Sequence, residues 1–224
     1  MSQTFIITGT DTGIGKTVFA AALTNALNAT YWKPIQCGME GGTDSSTISR
    51  LTNCTVLKEA YCLKMAASPH LAAEAEGMVL SPDAIALPAI SGPLVLEGAG
   101  GVMVPLNRET LLIEQFARWN APGNAPGNAP GNASVILCAR TVLGTINHSL
   151  LSIKALRDAG CEVLGIAFIG EENQPVEETI CDFGKVKRLG RLPFLDSLNK
   201  ETLQAAFNDG FDLSHFNQPA SDNG

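Results

Sequence analysis

Basic residues are in short supply in this chain. Its 15 Lys and Arg stand against 22 Asp and Glu in 224 residues, a formal net charge of −7. That balance argues against nucleic-acid and anionic-membrane partners, both of which reward clustered positive charge. Also missing is any apolar run near the roughly 18 residues that signal a membrane span. The opening M-S-Q-T-F-I-I-T-G lacks a basic start and reaches Gly9 at once, so no signal peptide is expected. The six cysteines include no C-x-x-C pair, which suits reduced thiols in the cytoplasm rather than a disulfide framework. His70, His148 and His215 lack zinc-site spacing.

What is present is an alternation of apolar strands and helices. Strand-like runs occur at Gln3–Thr8, Thr30–Pro34, Pro93–Leu96, Ser134–Ala139 and Val163–Ile169. Helical patterns cover Thr17–Ala29, Asn107–Trp119 and Ile146–Ala159, the last followed by Gly160 as a C′ residue. The pattern predicts a single α/β domain over residues 1–224, with a mostly parallel sheet covered by helices on both faces. Ligands of such sheets sit at the carboxyl ends of the strands. The segment Asn120–Ala133 repeats N-A-P-G and reads as a turn-forming surface loop, with a lid as the alternative. It falls at the amino end of a strand, away from the expected ligand edge. Residues after about 215 read as a disordered tail.

The residues that follow the strands carry the chemistry. G-T-D-T-G-I-G-K-T, Gly9 to Thr17, resembles the phosphate-binding pattern G-x-x-x-x-G-K-[ST] but has five residues, not four, between its first glycine and Gly15. A strand before it and a helix after it supply the required context: amide N–H groups and a helix dipole facing an anion. Gly13 and Gly15 allow close backbone approach, Lys16 reaches phosphates, and the Thr17 hydroxyl suits Mg²⁺. Lys33 ends the second strand in W-K-P, where a surface charge and a pocket cation are both open readings. Asp44 in a Gly/Thr/Ser loop is a helix cap or a Mg²⁺ ligand. Glu97 interrupts an apolar strand ahead of G-A-G-G, as a metal-holding acid does in NTPases. L-G-T-I-N-H, Leu143 to His148, opens a helix that suits a carboxylate, with His148 a base or a plain cap.

Taken in order, these motifs together with S-P-H-L-A-A (Ser68 to Ala73) closely resemble dethiobiotin synthetase, from Phe5 to about Phe194. The resemblance implies a P-loop NTPase fold and a homodimer using 7,8-diaminopelargonate (7,8-diaminononanoate), CO₂ and ATP with Mg²⁺. It implies catalytic roles for Lys33, Lys16 and Thr12, and Mg²⁺ on Thr17, Asp44 and Glu97. Nucleotide contacts are implied for Gly13, Ile14, Gly15, Val18, Gly98, Ala99, Gly100, Gly170, Pro193, Phe194 and Leu195. Substrate contacts are implied for Cys37 and for Gly144, Thr145, Ile146 and Asn147, the last four serving the partner subunit.

Two positions depart from that family's pattern. Cys37 stands where Ser or Thr is common, and a thiol is a poorer hydrogen-bond partner. Gly170 stands where an Asn commonly reads adenine, so looser nucleotide choice is expected. A partitioning-type ATPase is disfavoured because Thr10 and Asp11 replace the lysine expected early in its loop. An amide-forming corrin synthetase carries a glutaminase domain too large for this chain. A degenerate scaffold without catalysis conflicts with the presence of Lys16, Thr17, Lys33 and Glu97.

Overall fold

The computed structural model describes residues 3–121 and 133–216. Strand β1 (Thr4–Gly9) runs into the glycine loop and helix α1 (Lys16–Ala26). Strands β2 (Thr30–Trp32) and β3 (Ile35–Cys37) flank Lys33, and helix α2 (Asp44–Leu51) follows. Strand β4 (Tyr61–Leu63) and helix α3 (Pro69–Ala75) lead to β5 (Leu94–Glu97) and helix α4 (Leu112–Asn120). Strand β6 (Ala133–Arg140), helix α5 (Thr145–Asp158), β7 (Val163–Ile169), helix α6 (Gln174–Gly184), β8 (Arg188–Leu192) and helix α7 (Lys200–Gly210) complete the order.

Among the described residues, six strands form one sheet in the order β2-β5-β1-β6-β7-β8, every neighbouring pair parallel. β3 pairs with β4 in a separate parallel ladder. β1 lies between β5 and β6, so the chain crosses over it and opens a crevice at its carboxyl end. The glycine loop begins there.

The apolar strands bury both faces, which is why they lack the two-residue alternation of a half-exposed sheet. Phe5 and Ile7 pack with Phe19 and Leu23 of α1 and Phe207 of α7. Ile6, Leu94 and Leu96 face the other way, toward Phe116 and Trp119 of α4. Each such side chain contributes roughly 1.5–3 kcal/mol by leaving water, enough to fix strand order and so the crevice.

All five expected strands are present, Val163–Ile169 with the expected bounds and the others within two residues of theirs. The helix expected over Asn107–Trp119 begins only at Leu112. Asn107 Oδ1 accepts hydrogen bonds from the amides of Glu109 (2.9 Å) and Thr110 (2.8 Å), a side-chain-capped turn that competes with helix. A bridge between Pro105 and Leu111 closes that turn. Helix α1 ends at Ala26 rather than Ala29, because Asn28 adopts φ 47°. At the end of α5, Gly160 has φ 78° and Cys161 N donates to Leu156 O, so the expected C′ glycine is in place. The repeat at 122–132 and the tail from 217 lie outside the described residues.

Candidate active site

The glycine loop is pinned at both ends. Thr10 N donates to Cys138 O of β6 at 3.0 Å, and Gly15, with φ 102°, turns the chain into α1. A Cβ at Gly15 would lie 2.9 Å from Ile169 Cγ2, so glycine is required for both conformation and space. No side chain caps α1, which leaves its first amides facing the crevice. Lys16 is buried and its Nζ donates to Asp11 O at 2.7 Å, drawing the loop over its own cation. Burial holds the Lys16 pKa below the ordinary lysine value despite the attraction of Glu97.

Facing the loop, four side chains from four elements converge. Lys33 Nζ lies 2.6 Å from Asp44 Oδ2 and 3.1 Å from Glu97 Oε1, and it donates to Gly98 O at 3.0 Å. Lys33 is 4% exposed and Glu97 1%. The surface-charge reading of Lys33 is therefore wrong: Pro34 and the short strands on either side aim the lysine inward. Burial opposes its charge, but Glu97 and Asp44 together outweigh that and raise its pKa. Burial likewise disfavours the Asp44 charge, yet Lys33 prevails and the pKa is lowered.

The Thr17 hydroxyl stands 2.9 Å from both Asp44 Oδ1 and Glu97 Oε1. One proton serves only one of these at a time. A hydroxyl and two carboxylates form the hard oxygen set that Mg²⁺ prefers, and the residues fit that ion. Asp44 is not the helix cap. Thr43 caps α2 through a reciprocal pair with Ser46, which frees the Asp44 carboxylate. Gln36 Oε1 accepts from Asp44 N at 3.1 Å and steadies it.

Tyr31 carries no site signal in the sequence, yet it reaches Glu97. Its hydroxyl donates to Glu97 Oε2 at 2.8 Å from a fully buried position. Burial and the Glu97 charge raise its pKa well above the usual value, so it remains a donor. A tyrosine in an apolar strand looks like core, and only the fold shows what its hydroxyl meets.

A cavity of about 660 Å³ joins these groups. It is lined by Thr12, Gly13, Gly15, Lys16, Thr17, Val18, Lys33, Cys37, Asp44, Glu97, Ala99 and Gly100, as well as Ser68 and Pro69. Ile14 does not line it; its side chain turns into the core. Gly98 does not line it; its carbonyl accepts from Lys33 Nζ, and a Cβ there would meet Phe116 Cζ at 2.9 Å. Gly170 and Pro193–Leu195 lie outside this cavity, past the ends of β7 and β8. Gly144, Thr145, Ile146 and Asn147 start α5 and also lie outside it. His148 is exposed and does not line this chain's cavity. Cys37 keeps a neutral thiol, since burial pushes its pKa up to about 11.

A family model described as an AAA domain matches residues 3–202. The ATP-dependent dethiobiotin synthetase BioD of Rhodopseudomonas palustris (strain BisB18) is 52% identical over 219 residues, covering 96% of this chain and 99% of the relative. The protein of the same name from Nitrobacter hamburgensis is 52% identical, covering 96% and 98%. That of Brucella ovis is 50% identical with the same coverage. Among solved structures, a ParA family ATPase from Chlorobium tepidum TLS aligns with TM-score 0.53 at 9% identity, over 98% of this chain and 95% of that one. The last likeness concerns the fold alone. The relatives, matched nearly end to end, settle the family: the chain belongs to the dethiobiotin synthetases.

Proposed function

We propose that the chain closes the ureido ring of dethiobiotin from 7,8-diaminopelargonate, CO₂ and ATP, with Mg²⁺, in the cytoplasm. The observation that carries this reading is the meeting of Lys33, Asp44, Glu97 and Thr17 over the phosphate loop, inside one cavity. One amine of the substrate adds to CO₂ and loses a proton, giving a carbamate. A carbamate oxygen attacks the γ-phosphorus and ADP leaves. The second amine then attacks the carbamoyl carbon, phosphate departs, and a second proton is released.

Little covalent help is needed in such a transfer; position and charge do most of the work. The amides that begin α1 and the Lys16 ammonium hold the phosphate oxygens. Lys33, with its charge secured by two carboxylates, stabilises the carbamate and the transferring phosphoryl group. Thr12 stands at the cavity wall beside Gly100, in reach of the same oxygens. Thr17, Asp44 and Glu97 would hold Mg²⁺, which neutralises phosphate charge when bound. Tyr31 positions Glu97 for that task.

The substrate carboxylate is taken by the start of α5 in a partner subunit. In support, Gly144 opens that helix with no side-chain cap, and beside it Val142, Leu143 and Leu151 are exposed apolar side chains. A patch of that kind suits a subunit interface. All six cysteines are free, in keeping with a reducing compartment. The test is incubation with diaminopelargonate, bicarbonate and MgATP, with mass detection of dethiobiotin. ATP hydrolysis without that product would overturn the proposal.

A further inference from the structure

Ser68 precedes α3 but does not cap it, because no amide of that helix donates to its side chain. Its Oγ lies instead 3.1 Å from His70 Nδ1. With Nδ1 accepting from the hydroxyl, the ring carries its proton on Nε2. Ser68 lines the cavity that holds Lys33 and Cys37. His70 lines a separate cavity of about 250 Å³. One hydrogen bond thus joins two cavities.

Local structure holds the pair in place. Pro69, buried at the first position of α3, fixes the backbone between the two residues. His70 N donates to Pro105 O at 3.4 Å. The segment before Ser68 is fastened to the end of β3: Gly38 N donates to Leu63 O at 2.9 Å, and a Cβ on Gly38 would lie 3.0 Å from Ala66 Cβ. The charged groups that share the cavity of His70 are Glu74 of its own helix, with Arg108 and Glu109 of the turn before α4. Glu74 and Arg108 pair through bonds of 2.6 and 2.7 Å. All three are exposed, so this cavity opens to water.

The proposed reaction needs a base. A primary aliphatic amine, like that of lysine, has a pKa of about 10.4, so the diamine arrives as an ammonium with no lone pair to offer. Asp44 and Glu97 are engaged with Lys33 and Thr17, and both Lys16 and Lys33 donate. Cys37 keeps its proton. Ser68 has an imidazole behind its hydroxyl, an arrangement that lets the oxygen accept a proton.

We infer that Ser68 is the general base for the diamine, and that His70, acting through it, carries the proton out to the second cavity. The inference rests on the reaction proposed above and adds two residues to it. Ser68 Oγ takes a proton from the ammonium while its own passes to His70 Nδ1, and His70 Nε2 releases one to water. The freed lone pair forms the nitrogen–carbon bond to CO₂, and one C=O electron pair moves onto oxygen. That nitrogen then sheds its surplus proton to water. The carbamate results, two protons having left.

Rates of dethiobiotin formation by the full chain at limiting diaminopelargonate, from pH 7 to 9, test the relay. Ser68→Ala and His70→Asn should each lower kcat/KM for the diamine about a hundredfold at pH 7, the lower end of what a positioned base contributes. Asn keeps a hydrogen-bonding atom near the place of Nδ1 but takes up no proton. The deficit should narrow about tenfold per pH unit, because the variants react with free amine, whose share in solution grows by that factor. The double variant should be no slower than the worse single one, since the pair works as a unit. MgADP affinity by calorimetry should match wild type and shows that the variants are folded. A deficit constant with pH would make the bond a local turn contact and overturn the relay. So would additive losses in the double variant, unchanged rates, or a fall in MgADP affinity as large as the fall in rate. Wild type that forms no dethiobiotin would remove the proposed reaction itself, and the relay with it, a result distinct from the others.

Discussion

Lys33 Nζ and Asp44 Oδ2 sit 2.6 Å apart, and the pair is held by two elements that touch at the mouth of the crevice. β2 and β3 deliver the lysine, while Thr43 caps α2 and so leaves the aspartate side chain free for it. The charge of Lys33 is thereby secured before any substrate arrives. Replacing Lys33 with Ala should cut kcat by about 10²–10³, the scale for loss of one preorganised donor to a developing oxyanion. Binding of MgADP should survive, because Lys16 and the loop amides are untouched. Steady-state rates of dethiobiotin formation, with calorimetry of MgADP, check both halves. Full activity in the variant would remove Lys33 from the mechanism.

The same pair sets a pH signature. The Asp44 pKa is lowered in the folded chain, so its stabilising contribution is present above the unfolded carboxylate value of about 3.9 and is lost as pH falls through the folded value. The Lys33 pKa is raised, so its contribution is present below the unfolded value of about 10.4 and is lost as pH rises through the folded one. Lys16, held low by burial, acts in the opposite sense at alkaline pH, so the useful quantity is a difference between proteins. The urea midpoint of wild type minus that of Lys33→Met should be flat between these limits and shrink beyond each. A difference that grows on acidification would contradict the pairing.

Much of this site was legible without a fold. Glycine, lysine and threonine at Gly15–Thr17, between a strand and a helix, carry their own mechanism, and Glu97 betrays itself by interrupting an apolar strand. Lys33 was not readable from its own surroundings, since a lysine before proline is most often a surface charge; family resemblance alone assigned it. Tyr31 escaped altogether. It fills a strand in a way that packing explains well enough, and its partner Glu97 is distant in the chain. Helix α2 and strand β8 escaped because S-S-T-I-S and R-L-G-R-L carry weak periodicity. Their pairing is decided by contacts with α1, α7 and β7 rather than by local preference.

Tyr31→Phe separates positioning from packing. The ring volume is kept, while Glu97 Oε2 loses its 2.8 Å donor. An unsatisfied buried acceptor costs roughly 1–3 kcal/mol, so a lower thermal midpoint is expected. A merely structural tyrosine would change nothing else. If it orients Glu97, the Mg²⁺ concentration giving half-maximal rate should rise severalfold, with kcat at saturating Mg²⁺ closer to wild type. An unchanged Mg²⁺ dependence would leave Tyr31 as core only.

Gly15→Ala tests the loop. At φ 102° a Cβ is strained, of order 1–3 kcal/mol, and here it would also press on Ile169. The variant should melt earlier and lose nucleotide binding by much more than its stability loss explains, since the α1 amides would be displaced. Retained MgADP affinity would show that the loop tolerates the change.

Cys37 offers the last test, because it lines the cavity as a thiol where a hydroxyl would bond better. Burial pushes its pKa up to about 11, so at pH 7 to 8 it stays protonated and a poor nucleophile. Alkylation by iodoacetamide at pH 7.5 should therefore be slow at Cys37 compared with exposed Cys62, as peptide mapping would reveal. Cys37→Ser places a stronger donor and acceptor on the cavity wall at similar volume. On the proposed placement of the diamine, the expected result is a KM for diaminopelargonate lowered severalfold, with KM for ATP unchanged. A KM for the diamine that rises would mean the thiol packs against the substrate's apolar chain instead, and the side chain would then be judged by shape rather than by hydrogen bonding.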